Sequence, residues 1–241
     1  MIVYSHPWQE VKTIKREEAV ELLLVNRHFL YRLFYRAFAG EPDRAFLDIL
    51  TADNTGENFA LPGGEVLEAM PAFLAALREK LDDPAFLDAL KGEYTRLFVG
   101  PMEMEAPPWE SVYVGESGML FQESTLKVRE CYRRFGLLPE EYRRVPDDSL
   151  ALELGFLAEL AGRSLDAFDR KDADTLSETL DGAYRFLNEH LLIWIPQLLE
   201  KLAGSTTCLL YPRLVQALDS FIGKDSETLK ELLTEGVHAH D

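Results

Sequence analysis

Two carboxylates and a hydroxyl, Asp147, Asp148 and Ser149, stand side by side just ahead of the apolar run "LALELGFLAEL". At that position a side-chain oxygen accepts hydrogen bonds from the first-turn amides of a helix, so capping is the default task of the triplet. Capping does not explain why two carboxylates are adjacent. Neighbouring carboxylates also suit a receptor for guanidinium groups, because their oxygens take an arginine fork.

The other chemistry-bearing residues are dispersed. His238 and His240 form an HxH pair at the extreme C-terminus, where fraying favours only an adventitious metal site. His28 and His190 lie inside helical patterns and read as packing residues. Glu153 and Glu159 share one helix, but a di-iron bundle needs Glu-x-x-His on each of two helices, and that pair is lacking. Cys131 and Cys208 are far apart with no CxxC, which argues against a disulfide framework or a thiolate zinc site. There is no GxxxxGK[ST], GxGxxG, HExxH or GxSxG. No catalytic residue, metal or cofactor is therefore expected.

The elements that would position these residues are helical. "EEAVELLLVNRHFLYRLFYRAF" repeats apolar residues three and four apart, without the alternation of a strand. "GEPDRAFLDIL" gives a second, short helix, and "TADNTGENFALPGG" reads as a long loop. "EVLEAMPAFLAALREKL" and "PAFLDALKGEYTRLF" follow as helices, the latter opened by Pro84 after an acidic cap. "ESTLKVRECYRRFG" places basic residues at its end and Gly136 beyond, as the helix dipole and C-cap favour.

The connector "LLPEEYRRVPDDS" is a hinge candidate at 136–147, between an N-terminal and a C-terminal half. Beyond it lie the helical runs "LALELGFLAELAGRSLDAF", "DADTLSETLDGAYRFLNEHLLIWI", "CLLYPRLVQALDSFIG" and "SETLKELL", with Pro196 expected to bend or interrupt the run holding Trp194. No strand ladder or repeat appears, so the expected fold is all-α, one multi-helix domain over 1–241 with long irregular loops.

Composition narrows the partners. Of 241 residues, 25 are Lys or Arg and 42 are Asp or Glu; the net charge of -17 repels nucleic acid and anionic membranes. No apolar run approaches the roughly 20 residues that span a bilayer, so stable membrane insertion is not expected. The start "MIVYSHPWQEVKTIKREE" lacks the basic-then-apolar order of a secretion signal, which with the two isolated cysteines points to the cytoplasm.

One segment breaks the helical pattern. "GPMEMEAPPWESVYVGESGMLF", residues 100–121, holds three prolines and three glycines yet stays rich in apolar residues. It reads either as a docking lip held open by prolines, or as a loop pinned to the core by Trp109 and Tyr113.

These stretches, taken in order, carry a resemblance. "EYTRLFVGP", "APPWESVY", "ESTLKVRECYRRFG", "PDDSLALELGFLAEL" and "HLLIWIP" resemble the TorD/DmsD/NarJ family of cytoplasmic maturation chaperones for molybdoenzymes, from about Gly92 to Pro196. The resemblance implies an all-helical protein that is not an enzyme. It implies binding of the twin-arginine signal peptide, or of the immature catalytic subunit, of a molybdopterin-dependent oxidoreductase, so that export waits for cofactor insertion.

Carried over by position, the implied peptide surface comprises Tyr94, Leu97, Phe98, Trp109, Glu110, Ser111, Tyr113, Asp147, Asp148 and Ser149. The family commonly has Asp-His where this chain reads Asp148-Ser149, so no role that needs the imidazole is implied. The protein is expected as a monomer or as a dimer exchanging C-terminal halves. The competing readings are an all-α metal-dependent hydrolase and a helical adaptor for a folded basic partner.

Overall fold

Periodicity of three and four becomes helix wherever the sequence carries it. The computed structural model describes residues 16–100, 104–115, 123–138, 146–205 and 207–235. Its helices run as α1 (Arg16–Phe38), α2 (Arg44–Leu50), α3 (Asp53–Ala60), α4 (Glu65–Glu68), α5 (Met70–Arg78) and α6 (Pro84–Phe98). They continue as α7 (Glu110–Val114), α8 (Glu123–Arg134), α9 (Leu150–Asp169), α10 (Ala173–Phe186), a π-helical turn (Leu187–Leu191), α11 (Leu192–Ala203) and α12 (Tyr211–Glu235). The described residues contain no strand, only an isolated antiparallel bridge between Trp109 and Ser149. None of their helices is long and apolar enough to cross a membrane. The 136–147 hinge candidate lies largely outside the described residues, as do His238 and His240.

The central layer is α1 laid against α9, with α10 on the other flank of α9. Small residues make the α1–α9 approach feasible: a Cβ on Gly155 would meet the Tyr35 ring at 3.2 Å, and one on Gly162 the His28 imidazole at 3.3 Å. α12 closes the bundle, stacking Phe221 on Phe34 and tilting it on Tyr31. The same helix brings Asp225 to Arg27, 2.5 Å from Nε, while the Tyr31 hydroxyl donates to that carboxylate at 2.6 Å. All three side chains are buried, so removing Arg27 or Asp225 would strand the opposite charge at a cost of about 3–5 kcal/mol.

Local signals explain most boundaries. Asp83 accepts from Ala85 N at 2.9 Å and Pro84 occupies the first turn of α6, as expected. Gly136, at φ +68, ends α8: its N–H reaches Arg133 O at 2.9 Å and the next N–H, of Leu137, reaches Tyr132 O at 2.9 Å. That is the double bond of a Schellman cap, and it sets Leu137 beside Tyr132.

Four expectations need correction. The loop expected at 51–64 contains α3, because Phe59 and Thr55 bury and Gly56 lets the turn approach Pro71, where a Cβ would come within 3.1 Å. The helix expected at 65–81 is divided at Ala69 and Met70, next to Pro71, which lacks a donor. Pro196 lies inside α11, and the irregularity is the π-helical turn upstream of it. The two C-terminal runs are one helix through Gly223, since burial of Phe221, Ile222 and Asp225 outweighs the ~1 kcal/mol that a mid-helix glycine costs.

Candidate functional site

The adjacent carboxylates form a hub rather than an open pair. Asp148 is fully buried: its Oδ2 accepts from Ser111 N at 2.8 Å and its Oδ1 from the Thr125 hydroxyl at 3.0 Å. Its backbone oxygen accepts from Glu110 N at 3.0 Å. One residue thus satisfies the start of α7 and ties it to α8, performing for α7 the task of an N-cap from 37 residues away. Asp147, 1% exposed, takes the Arg129 guanidinium through Nε at 2.6 Å and Nη2 at 2.5 Å, and its backbone oxygen accepts from the Tyr132 hydroxyl at 2.8 Å. Ser149 caps α9, its Oγ accepting from Leu152 N at 3.4 Å. The backbone bridge to Trp109, with Leu150 N donating to Pro108 O at 2.9 Å, seals the 108–110 strand-like piece against the start of α9.

A second polar layer lies beneath α7. Buried Glu110 accepts from or shares its proton with His190, 2.8 Å from Oε2 to Nδ1, and the opposite ring nitrogen faces the Cys131 sulfur at 3.8 Å. Burial alone would lower the His190 pKa, but its bonds to Cys131 and Glu110 outweigh that and push it up to about 9. Glu153, fully buried, receives the Trp194 indole N–H at 3.1 Å. Its carboxyl is pushed well up, first by burial and then by the facing charge of Glu110, with the indole bond pulling the other way. Tyr113 stacks on Trp194 at 5.5 Å, and burial raises its phenol pKa.

The carried-over residues therefore divide. Tyr94, Leu97 and Phe98 are core: Tyr94 and Phe98 each lie 5.3 Å from the Tyr211 ring, and Leu97 is fully buried. Their apolar bulk, set on the inner face of α6, packs on Tyr211 at the start of α12. Glu110, Ser111, Asp147, Asp148 and Ser149 are likewise internal, bonded to α7, α8 and α9 as scaffold. Trp109 and Tyr113 remain half-buried. Among the described residues the Trp109 indole N–H, the Ser111 hydroxyl and the Tyr113 hydroxyl are buried without a hydrogen-bond partner. Glu105, a further carboxylate of the segment, is paired with Arg96 at 2.9 Å.

What the sequence did not reveal is a recess beside the hub. A pocket of about 540 Å³ opens between α1 and α9. Tyr132, the residue bonded to Asp147, forms part of its wall, as does Leu152 from the capped first turn of α9. Phe156 continues the apolar lining, Leu137 and Leu138 from the Schellman cap make the lip, and Tyr35 and Arg32 of α1 stand opposite. Glu159 is the rim carboxylate, half-exposed and paired with Arg163 at 2.8 Å. The signal that marks this recess is the i, i+3, i+7 spacing of Gly155, Ala158 and Gly162, which keeps that face of α9 low. No group of three or more His, Cys, Asp or Glu able to hold a metal occurs among the described residues.

The described residues form an all-helical scaffold with a buried polar hub and an adjacent apolar recess. Residues 64–200, more than half of the chain, match the family described as nitrate reductase delta subunit, and the chain belongs to that family. It is 30% identical over 146 residues to the chaperone protein TorD of Vibrio cholerae serotype O1, covering 61% of this chain and 64% of that protein. The Photobacterium profundum TorD is 26% identical over 166 residues, 68% of this chain and 75% of that protein. The Tat proofreading chaperone DmsD of Salmonella typhimurium is 37% identical over 75 residues, 30% of this chain and 37% of that protein. A solved chain from Archaeoglobus fulgidus overlays 93% of this chain and 99% of its own at 18% identity, with a TM-score of 0.37, and adds nothing to the assignment. The match spans 64% of the Vibrio cholerae relative's length.

Proposed function

We propose that the protein is a non-catalytic maturation chaperone that captures the twin-arginine leader, and with it the immature catalytic subunit, of a molybdopterin-dependent oxidoreductase. The observation that carries this reading is the 540 Å³ recess built onto the Asp147–Asp148 hub through Tyr132 and Leu152. Family membership and the relatives' names, chaperone and Tat proofreading chaperone, support the class of activity.

The parts of a leader contribute unequally in this reading. Asp148 has both oxygens engaged internally and Asp147 is buried, with Arg129 on its Oδ2 and its Oδ1 unpartnered, so the leader's guanidinium groups meet exposed rim acids such as Glu159. An exposed ion pair contributes about 0–1 kcal/mol. Each large apolar side chain withdrawn from water contributes about 1.5–3 kcal/mol. The apolar run that follows the arginines therefore dominates affinity, while the net charge of -17 steers the cationic end.

Calorimetry with three synthetic leaders tests this. Replacing both arginines with glutamine should weaken binding several-fold, and replacing the apolar run with serines should weaken it by at least about a hundredfold. Equal affinity for the serine-substituted and intact leaders would end the proposal.

A further inference from the structure

We propose that Cys131 is a reactive thiol, activated by His190, that hydroperoxides oxidise in preference to the more exposed Cys208. The inference is independent of leader binding and rests on three side chains brought together from α8, the π-helical turn and α7. The Cys131 sulfur lies 3.8 Å from His190 Nε2, and His190 Nδ1 lies 2.8 Å from Glu110 Oε2. This is the sequence of groups that activates a nucleophile: sulfur, imidazole, and a carboxylate that orients the imidazole.

His190 sits in the π-helical turn, a departure from α geometry of the kind often found at functional sites. His190 and Glu110 are almost wholly buried, so their mutual orientation is held, while Cys131 is only part-buried. The groups facing the imidazole are Cys131 from α8 and Glu110 from α7, with the Phe186 ring packed on it and Glu153 of α9 beyond Glu110. A protonated imidazole in this setting stabilises negative charge on the sulfur. That His190 is pushed up to about 9 agrees with such a state at neutral pH.

The step balances with a hydroperoxide as the only co-reactant. The sulfur, its proton held by His190, attacks the terminal peroxide oxygen; an S–O bond forms and the O–O bond breaks. Sulfur loses two electrons and becomes sulfenic acid, the peroxide is reduced, and His190 returns the proton to the leaving oxygen, giving water from hydrogen peroxide.

The experiment treats the intact chain with hydrogen peroxide and dimedone, which traps sulfenic acid, and reads each cysteine by peptide mass spectrometry. Cys208, which is exposed, is the internal reference. At pH 7 Cys131 should be labelled about tenfold faster than Cys208. His190→Gln should bring the ratio to one or below, and Glu110→Gln should lower it partway. If the variants unfold, the wild-type pH profile decides: the Cys131/Cys208 ratio should fall as pH rises through about 9. Cys208 labelling as fast as or faster than Cys131 at pH 7 would overturn the proposal, as would a ratio independent of pH or unchanged by His190→Gln.

Discussion

Two buried carboxylates in this molecule do the same backbone chemistry, and comparing them separates support from function. Glu93, on α6, accepts the N–H groups of Leu209, Leu210 and Tyr211 at 2.7, 2.8 and 3.0 Å and so caps α12 from more than a hundred residues away. Asp148 accepts from Ser111 N and caps α7 in the same manner. Around Glu93 lie Leu97 and the packed rings of Tyr94, Phe98 and Tyr211, with the Tyr211 hydroxyl buried and unpartnered. Around Asp148 lie half-buried Trp109 and Tyr113, polar atoms without partners, and the wall of an open pocket. A carboxylate that holds a core ring cluster in place is architecture. The same device beside an open recess shapes a surface able to receive a partner.

The comparison can be broken at several strengths. Glu93→Ala should be the most damaging change, leaving three buried amides without an acceptor and costing about 3–5 kcal/mol in chemical denaturation. The same variant, while folded, should bind leader with unchanged affinity. Asp148→Ala should cost somewhat less, about 2–4 kcal/mol, since Ser111 N and Thr125 lose their acceptor. Unlike the Glu93 variant it should also weaken leader binding, because α7 and the start of α9 lose register.

A smaller effect is expected from pH. His190 holds its proton more tightly folded than unfolded, so its contribution is complete below its ordinary value of 6.5 and is lost as pH rises through about 9. Stability should fall by up to about 3 kcal/mol across that window, and His190→Gln should flatten the profile. Leu138→Asp, at a lip position 62% exposed, should move stability by less than about 0.5 kcal/mol yet raise the leader Kd about tenfold.

Legibility in the sequence followed the range of the interactions. Helices announced by near neighbours were readable: Pro84 with Asp83, Gly136 after α8, Ser149 before α9. α3 and the unbroken α12 were not, because Gly56 and Gly223 read as breakers until the contact of Gly56 with Pro71 and the burial of Phe221 and Ile222 beside Gly223 are known. Of the site, one backbone neighbourhood was legible, though none of the ten residues named from the sequence lines the recess. Trp109 and Asp148, 39 positions apart, do sit together across the Trp109–Ser149 bridge.

Their roles were not legible, since the partners of Asp148 come from Ser111 and Thr125, and His190 meets Glu110 across 80 residues. Arginine-binding carboxylates and arginine-free internal caps are written with the same letters. The recess needed both α1 and α9 in place before it existed at all.

The central claim, that the apolar part of a leader fills the α1–α9 recess, is tested most directly by photo-crosslinking. A synthetic twin-arginine leader carrying benzophenone within its apolar run would be irradiated with the protein, and the adducts mapped by mass spectrometry. The account predicts adducts at Leu138, Leu152 and Phe156, competed away by unlabelled leader. Specific adducts gathered instead at the groove between α11 and α12, around Pro196 and Pro212, would contradict it.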